Sequence, residues 1–168
     1  MIESFQDKHP KIHESVFVAE NAVVIGDVEI GENSSVWHGS VLRGDVNYIR
    51  IGSRVNIQDA CVIHVSSKTH LTVLEDEITL GHRVTIHGCY IETGSLIGIG
   101  AIVLDGARVG RNSLVAAGSL VTPNTKIPPR SLVMGSPARV KRELSEEEVR
   151  DLARFWQNYV ELSKHYRS

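Results

Sequence analysis

Three histidines, His64, His82 and His87, lie close together in a region of the chain that is otherwise mostly valine, isoleucine and glycine. Three neutral imidazoles that leave a fourth coordination position open form the ligand set of catalytic zinc sites. A zinc ion held in this way lowers the pKa of bound water to about 7, so hydroxide is available at neutral pH. The histidines therefore suggest metal-assisted attack by water, provided that the fold brings their rings together.

A six-residue repeat is the element that must position these histidines. Val, Ile or Leu recurs at every sixth position in four runs, over 12–42, 51–63, 74–86 and 91–133. This period fits neither a helix nor an alternating strand, and its fixed phase disfavours a β-sandwich. Three units, each a short strand plus a corner, close a triangular coil of roughly eighteen residues, and stacked coils form a parallel β-helix. We expect the tight corners to use the glycines that often follow the repeated residue, namely Gly31, Gly52, Gly81, Gly98 and Gly110.

The repeat is interrupted three times, and each interruption flanks the histidine region. Three extra residues lie between positions 42 and 51, five lie between 63 and 74, and one residue is missing between 86 and 91. Irregularities in a solenoid usually map to functional loops. The interruptions therefore mark the histidine region as a candidate site.

The repeat also predicts which histidines can meet within one chain. His64 and His87 both follow an inward-facing residue, and their separation of 23 positions becomes 18, one coil, without the five-residue insertion. We expect the two rings to stack on adjacent coils about 4.8 Å apart, close enough to share a metal. His82 lies around a corner, up to roughly 16 Å from His87 along extended chain, and cannot reach the same metal within one chain. Copies packed around a threefold axis would bring His82 of one subunit to the pair of the next.

A C-terminal helix is predicted after the repeat ends near the segment GSPA. Ser145 and Glu148 predict a capping box at its start. One apolar line of the helix is expected to pack on the β-helix, and a second to be surplus core, to face a neighbouring subunit or to face the site. The predicted organisation is an N-terminal segment over 1–11, a β-helix over 12–138, and a linker with the packed helix over 139–168. The first line comprises Val149, Leu152, Ala153, Trp156 and Val160, and the second comprises Phe155, Tyr159, Leu162 and Tyr166.

The composition excludes several classes of protein. A length of 168 residues suits one domain, and 5% aromatic residues leave small β-branched side chains to fill the core. A net charge of −2 gives no basic excess for nucleic acid or an anionic membrane, and no segment approaches the roughly 20 apolar residues of a membrane span. Two cysteines are too few for a disulfide framework; neither is expected to bind metal, and Cys61 is predicted to be a small core residue. With no secretory signal at the N-terminus, the predicted location is the cytoplasm.

The run RGDVNYIRIGSRVNIQDACVIH followed by GHRVTIHGC resembles the γ-class carbonic anhydrases and their bacterial and archaeal relatives. The likeness covers the repeat region, GSPA and the C-terminal helix. It implies an all-β fold, a left-handed parallel β-helix of hexapeptide repeats with a C-terminal α-helix, assembled as a homotrimer. It also implies reversible hydration of CO2 to bicarbonate at Zn²⁺ bound between subunits. Fe²⁺ or Co²⁺ would also suit three histidines and an open position.

The resemblance also implies roles for individual residues. His64, His82 and His87 match the metal ligands of the family, with the middle histidine coming from the adjacent subunit. Gln58 matches the residue that hydrogen-bonds water at the metal, and Asn56 matches a polar neighbour. Tyr159 matches a tyrosine on the helix near the active site. The charged cluster at the subunit interface is matched by Arg43, Asp45 and Asp59.

Two departures from the family pattern predict weak CO2 hydration. Val46 stands where the best-known members carry glutamate, and a short insertion replaces the acidic loop with its proton-shuttle glutamate. The nearby candidates for the shuttle are His70, Glu75 and Glu77. Two other functions remain open: a hexapeptide-repeat acyltransferase that binds acyl-CoA between subunits, with one histidine as general base, and a metal-binding or assembly scaffold without catalysis.

Overall fold

The computed structural model describes residues 1–167, and it confirms a parallel β-helix followed by one α-helix. Short strands stack on three faces of a triangular prism. Seven parallel strands on the first face correspond to seven coils, and an antiparallel strand, β20 (Ala138–Glu143), closes the end of that face. The parallel strands are β3 (Phe17–Val18), β5 (Ser35–Val36), β7 (Asn56–Ile57), β10 (Thr79–Leu80), β13 (Leu96–Ile97), β16 (Leu114–Val115) and β19 (Ser131–Gly135).

The other two faces form one sheet because two long strands, β4 (Val23–Ile30) and β6 (Val41–Ile51), bend from one face onto the other. Gly26 and Gly44 lie in the bend, and a Cβ on Gly26 would stand 2.5 Å from the Gly44 carbonyl oxygen, so a side chain does not fit there. The shorter strands of the second face are β1 (Ile2–Glu3), β8 (Val62–His64), β11 (Thr85–His87), β14 (Ile102–Val103) and β17 (Leu120–Val121). Those of the third face are β2 (Lys11–Ile12), β9 (Thr72–Leu74), β12 (Tyr90–Ile91), β15 (Arg108–Val109) and β18 (Lys126–Ile127).

The repeated Val, Ile and Leu residues form the core, as the period of six predicts. All of them are buried except Ile12 and Val18 in the first coil, which are partly exposed. Small buried serines often stand four residues after the repeated position. The hydroxyls of Ser34, Ser40 and Ser95 donate to carbonyl oxygens of the next coil at 2.9 to 3.1 Å. These bonds satisfy buried backbone acceptors and tie neighbouring coils together.

The glycines that follow the repeated residue begin the corners, as predicted, but they are required there for close packing between coils and not for a left-handed backbone. Left-handed backbone occurs instead at other residues, such as Arg54 (φ 57°) and Asn112 (φ 55°). At Gly52 a Cβ would stand 2.8 Å from the Glu75 carbonyl oxygen of the next coil. Glycine is required there because two backbones pass too closely for any side chain.

The C-terminal helix, α1 (Glu146–Tyr166), begins with the predicted capping box. Ser145 Oγ accepts from the Glu148 amide at 3.2 Å, and the Glu148 carboxylate accepts from the Ser145 amide at 2.8 Å. The helix packs against β3, β5 and β7. It follows β20, which occupies much of the segment predicted as a linker.

Both apolar lines of α1 contribute to its packing. Leu152 of the first line is buried. Tyr159 and Tyr166 of the second line pack edge-on against Trp37, with ring centroids 5.3 and 5.0 Å apart. Phe155 remains exposed. No helix within residues 1–167 is long and apolar enough to cross a membrane.

Candidate metal centre

His64 and His87 meet at one corner of the prism, as their separation by one coil of the repeat predicts. They are the last residues of β8 and β11, which pair in parallel with His64 directly opposite His87. Nδ1 of His64 lies 3.2 Å from Nε2 of His87, and the ring centroids are 5.1 Å apart. Two potential ligands on adjacent coils are therefore side by side.

Each of these rings also contacts an aspartate through its other nitrogen. Nε2 of His64 donates to Asp45 at 3.0 Å, and Nδ1 of His87 donates to Asp105 at 2.6 Å. Asp105 stands one coil after His87, so an acid–histidine–histidine–acid column follows the corner over consecutive coils. Carboxylates that orient metal-binding histidines in this manner are common around metal ions in proteins.

Both aspartates of the column are held in the ionised form. Burial alone would raise the pKa of Asp45, but hydrogen bonds from His64, Arg43 and the Val46 amide hold it at about 2. Burial alone would likewise raise the pKa of Asp105, but hydrogen bonds from His87 and Ser66 hold it below its usual value. Each carboxylate therefore accepts a hydrogen bond from a ring N–H. It thereby fixes which nitrogen of its histidine carries the proton.

The donor set fits a divalent transition metal. Because each N–H points at an aspartate, Nδ1 of His64 and Nε2 of His87 face each other with lone pairs, which repel unless a cation lies between them. Two nitrogens at 2.0–2.1 Å from a tetrahedral zinc would be roughly 3.3 Å apart. The 3.2 Å separation of the ring nitrogens matches two corners of such a site.

His82 lies at a different corner and contacts its own aspartate. It follows β10, and its Nδ1 pairs with Asp59 at 2.9 Å, while its side chain is 42% exposed. His38 stands on the other side of the same carboxylate, at 3.7 Å. Within residues 1–167 of a single chain, no three His, Cys, Asp or Glu side chains are grouped so as to hold a metal. The third predicted ligand is thus apart from the pair, as the sequence predicts for one chain.

An apolar groove of about 600 Å³ adjoins His82, between the first face and α1. Gln58 and Tyr159 line it, and Gln58 donates its amide to Asn56 at 3.1 Å. Asn56 in turn donates to Thr79 at 2.8 Å, so both buried amides are fixed. Burial and the nearby charge of Asp59 raise the pKa of Tyr159. The groove is otherwise lined mainly by apolar residues, among them Leu96, Ile99, Leu114, Leu152 and Phe155.

The predicted charged cluster is divided between these two places in one chain. Arg43 pairs with Asp45 beside His64, and the exposed Val46 contributes its amide to the same carboxylate at 2.8 Å. Asp59 lies with His82 instead. Their meeting at an interface between subunits stays a prediction.

The three candidates for proton transfer lie near the inserted loop but differ in availability. Glu75 accepts hydrogen bonds from Tyr90 at 2.5 Å and from Thr93 at 2.9 Å, and Glu77 pairs with Arg54 at 2.9 Å. His70 belongs to the loop itself, where an isolated bridge joins it to Ser66. The charge of the Asp105 carboxylate acts on His70, so all three candidates have a charged or hydrogen-bonded neighbour.

The cysteines take no part in the centre. Both Cys61 and Cys89 are buried free thiols, and Cys61 is a core residue as predicted. Burial raises the pKa of the Cys61 thiol to about 12 and also raises that of Cys89. Neutral thiols at these positions pack as small apolar groups.

Asp105 and Ser66 were missed in the sequence reasoning. Ser66 Oγ donates to Asp105 at 2.7 Å and thereby joins the inserted loop to the column. The spacing of 18 residues between His87 and Asp105 was a usable signal, because the coil spans 17 residues there and Asp105 falls one position after the residue opposite His87. The hydroxyl contact had no comparable signal, since it depends on how the inserted loop folds.

Comparison with known proteins identifies the family. Residues 9–44 match the family model for the bacterial transferase hexapeptide (six repeats). The whole chain is 46% identical to a carbonic anhydrase of Geobacillus kaustophilus and covers 92% of it. It is also 46% identical over 163 residues to gamma carbonic anhydrase 2, mitochondrial, of Arabidopsis thaliana, and spans 59% of that longer protein. A crystal structure of a Bacillus cereus protein described as a "putative acetyltransferase" superposes with a TM-score of 0.96 at 45% identity, covering 98% of this chain and 95% of that one. The chain belongs to the γ-class carbonic anhydrase family of hexapeptide-repeat proteins.

Proposed function

We propose that the chain is a zinc-dependent enzyme that interconverts CO2 and bicarbonate as a homotrimer. His64 and His87 of one subunit and His82 of the next hold the ion. The observation that carries this proposal is the column of His64 and His87. One nitrogen of each ring faces the other ring across 3.2 Å, and the second nitrogen of each ring donates to Asp45 or Asp105.

His82 is equipped to complete the site from a neighbouring copy. Its Nδ1 is fixed by Asp59, so Nε2 is left for a ligand, and its side chain is 42% exposed in one chain. Gln58 and Tyr159 line the same groove as His82, so they accompany it to the interface. Each subunit thus contributes two half-sites: the column at one corner, and His82 with the groove at another.

The chain's own residues bind, orient and exclude water in the reaction. A zinc ion in this ligand set supplies hydroxide at neutral pH. Because the amide nitrogen of Gln58 donates to Asn56, its Oε1 remains as an acceptor that can orient a water molecule beside His82. The apolar wall of the groove suits uncharged CO2, and Arg43, 44% exposed beside Asp45, offers a positive charge to bicarbonate.

We expect the transfer of the proton to solvent to limit the rate of hydration. Val46 provides no carboxylate, and Glu75 and Glu77 are engaged with Tyr90 and Arg54. Transfer to solvent then depends on His70 or on the buffer. We therefore expect slow hydration of CO2 whose rate rises with buffer concentration.

Metal analysis combined with stopped-flow CO2 hydration tests the proposal. Protein purified under anaerobic conditions and loaded with Zn²⁺, Fe²⁺ or Co²⁺ should hold about one ion per chain and hydrate CO2, and His64→Ala should lose both properties. Consumption of acetyl-CoA without bound metal would instead identify an acyltransferase, and bound metal without hydration would identify a scaffold. The location in the cytoplasm stays a prediction.

A further inference from the structure

Asp105 lies outside the two sequence runs that carry the family resemblance, and the resemblance assigns it no role. Its two oxygens are nevertheless both engaged at the proposed metal centre: Oδ1 accepts from His87 at 2.6 Å, and Oδ2 accepts from Ser66 at 2.7 Å. One coil therefore supplies the carboxylate, the preceding coil supplies the ligand, and the inserted loop holds the carboxylate in place.

The backbone beside His87 is shaped to admit this carboxylate. A Cβ on Gly88 would stand 2.3 Å from Asp105 Oδ1 and 2.7 Å from the Cβ of His70. No side chain fits there unless both the aspartate and the loop move. Gly88 falls at the one-residue deletion of the repeat, and its φ of 55° is one that glycine adopts readily.

The bond between Asp105 and His87 selects one tautomer of the ring. A neutral imidazole in water favours the proton on Nε2, but here that nitrogen faces His64. By accepting from Nδ1, Asp105 moves the proton away from the atom that must bind metal. The bond also fixes the rotation of the ring, which sets the direction of the lone pair on Nε2.

Resting on the proposed function, we propose that Asp105 is a positioning residue for His87 and that the five-residue insertion serves the metal centre through Ser66. The insertion in this chain then tunes metal affinity. A loop that served only proton transfer would instead affect hydration without affecting affinity.

The first test measures the dissociation constant for Zn²⁺ by chelator competition on the intact assembly. Asp105→Ala should raise the dissociation constant by about 10–100-fold, and Ser66→Ala should raise it by about tenfold or less. Ser66→Thr should restore wild-type affinity because the hydroxyl is retained. The matched control is Thr93→Val, which removes a similar hydroxyl–carboxylate contact of 2.9 Å to Glu75 and should leave affinity unchanged.

The second test observes the tautomer directly in metal-free protein by ¹⁵N NMR of the His87 ring. Wild type and Thr93→Val should show the Nδ1-protonated form, and Asp105→Ala should move the population toward the Nε2-protonated form. If Asp105→Ala does not fold, Ser66→Ala and Asp105→Asn, which keeps an acceptor but removes the charge, are measured in its place.

The outcomes separate this inference from the proposed function. Wild-type affinity and an unchanged tautomer in the Asp105 and Ser66 variants would overturn the positioning role while leaving the metal centre intact. Full Zn²⁺ affinity in His64→Ala or His87→Ala would overturn the proposed function. If wild-type protein bound no Zn²⁺, the tautomer measurement would still decide whether Asp105 controls His87.

Discussion

Mixed trimers of two inactive variants test whether the metal centre lies between subunits. His64→Ala removes one member of the pair, and His82→Ala removes the ligand expected from the neighbour; each alone should abolish Zn²⁺ retention against a chelator. In a cyclic trimer that contains both kinds of chain, two copies of one and one of the other, one interface of the three joins an intact pair to an intact His82. Such mixed trimers should therefore retain about one third of the wild-type zinc.

The assay uses co-expression with two different affinity tags, so that sequential purification yields only mixed trimers. Zinc is then measured by elemental analysis after gel filtration in chelator. The matched control pairs His64→Ala with His87→Ala. Because β8 and β11 belong to one chain and their histidines meet within it, no subunit in this second mixture carries both members of the pair. It should retain no zinc.

The two mixtures are expected to give opposite results, zinc in the first and none in the second. If the first mixture held no zinc although both tags were present, His82 would not share a site with the pair, and the proposed function would fail. If the second mixture held as much zinc as the first, the pair would not act as a unit, and the contact of 3.2 Å would have no bearing on metal binding.

Three further predictions concern catalysis, acid stability and the packing of coils. Gln58→Ala should keep its zinc but lose about 10–100-fold in stopped-flow CO2 hydration, because Gln58 orients water without binding metal; loss of zinc would refute this role. Burial alone would raise the pKa of Glu75, but hydrogen bonds from Tyr90 and Thr93 hold it below the usual value of 4.5. Thr93→Val should therefore lower the free energy of unfolding by about 1 kcal/mol at pH 7, and this difference should shrink as the pH falls below 4.5, where the carboxyl becomes protonated; a constant difference in denaturation curves from pH 7 to 3 would contradict it. Gly110→Ala should cost about 3 kcal/mol, because its Cβ would stand 2.4 Å from the Pro129 nitrogen, whereas Gly118→Ala, with no atom within 4 Å and φ of 66°, should cost only about 1 kcal/mol; equal costs in chemical denaturation would show that close approach between coils is unimportant.

The period of six made much of the fold predictable because it converts sequence distance into spatial position. A residue and the one eighteen positions later are neighbours, so the contact between His64 and His87 and the separation of His82 followed from counting. Backbone conformation and side-chain direction do not follow from counting. The glycines that begin the corners are required because neighbouring backbones approach closely, and the left-handed positions fall on residues such as Arg54. The hydroxyl contact of Ser66 depends on the path of a loop that departs from the repeat.

The charges of the column favour a divalent cation over a shared proton between the two rings. With neutral imidazoles, Asp45 and Asp105 contribute two negative charges, and Arg43 offsets one of them. A single proton between His64 and His87 would leave the corner neutral, and it would place no charge at the groove of the next subunit. A divalent cation leaves the column with a net positive charge instead. Asp59, which accompanies His82, would offset that charge at the assembled site, but it contacts the ring nitrogen that faces away from the ion. In the proposed trimer that charge would attract an anion such as bicarbonate in a site walled by apolar side chains, where electrostatic attraction is only weakly screened. Carboxylates that contact the rings instead of the ion therefore raise metal affinity while leaving the positive charge available to the substrate.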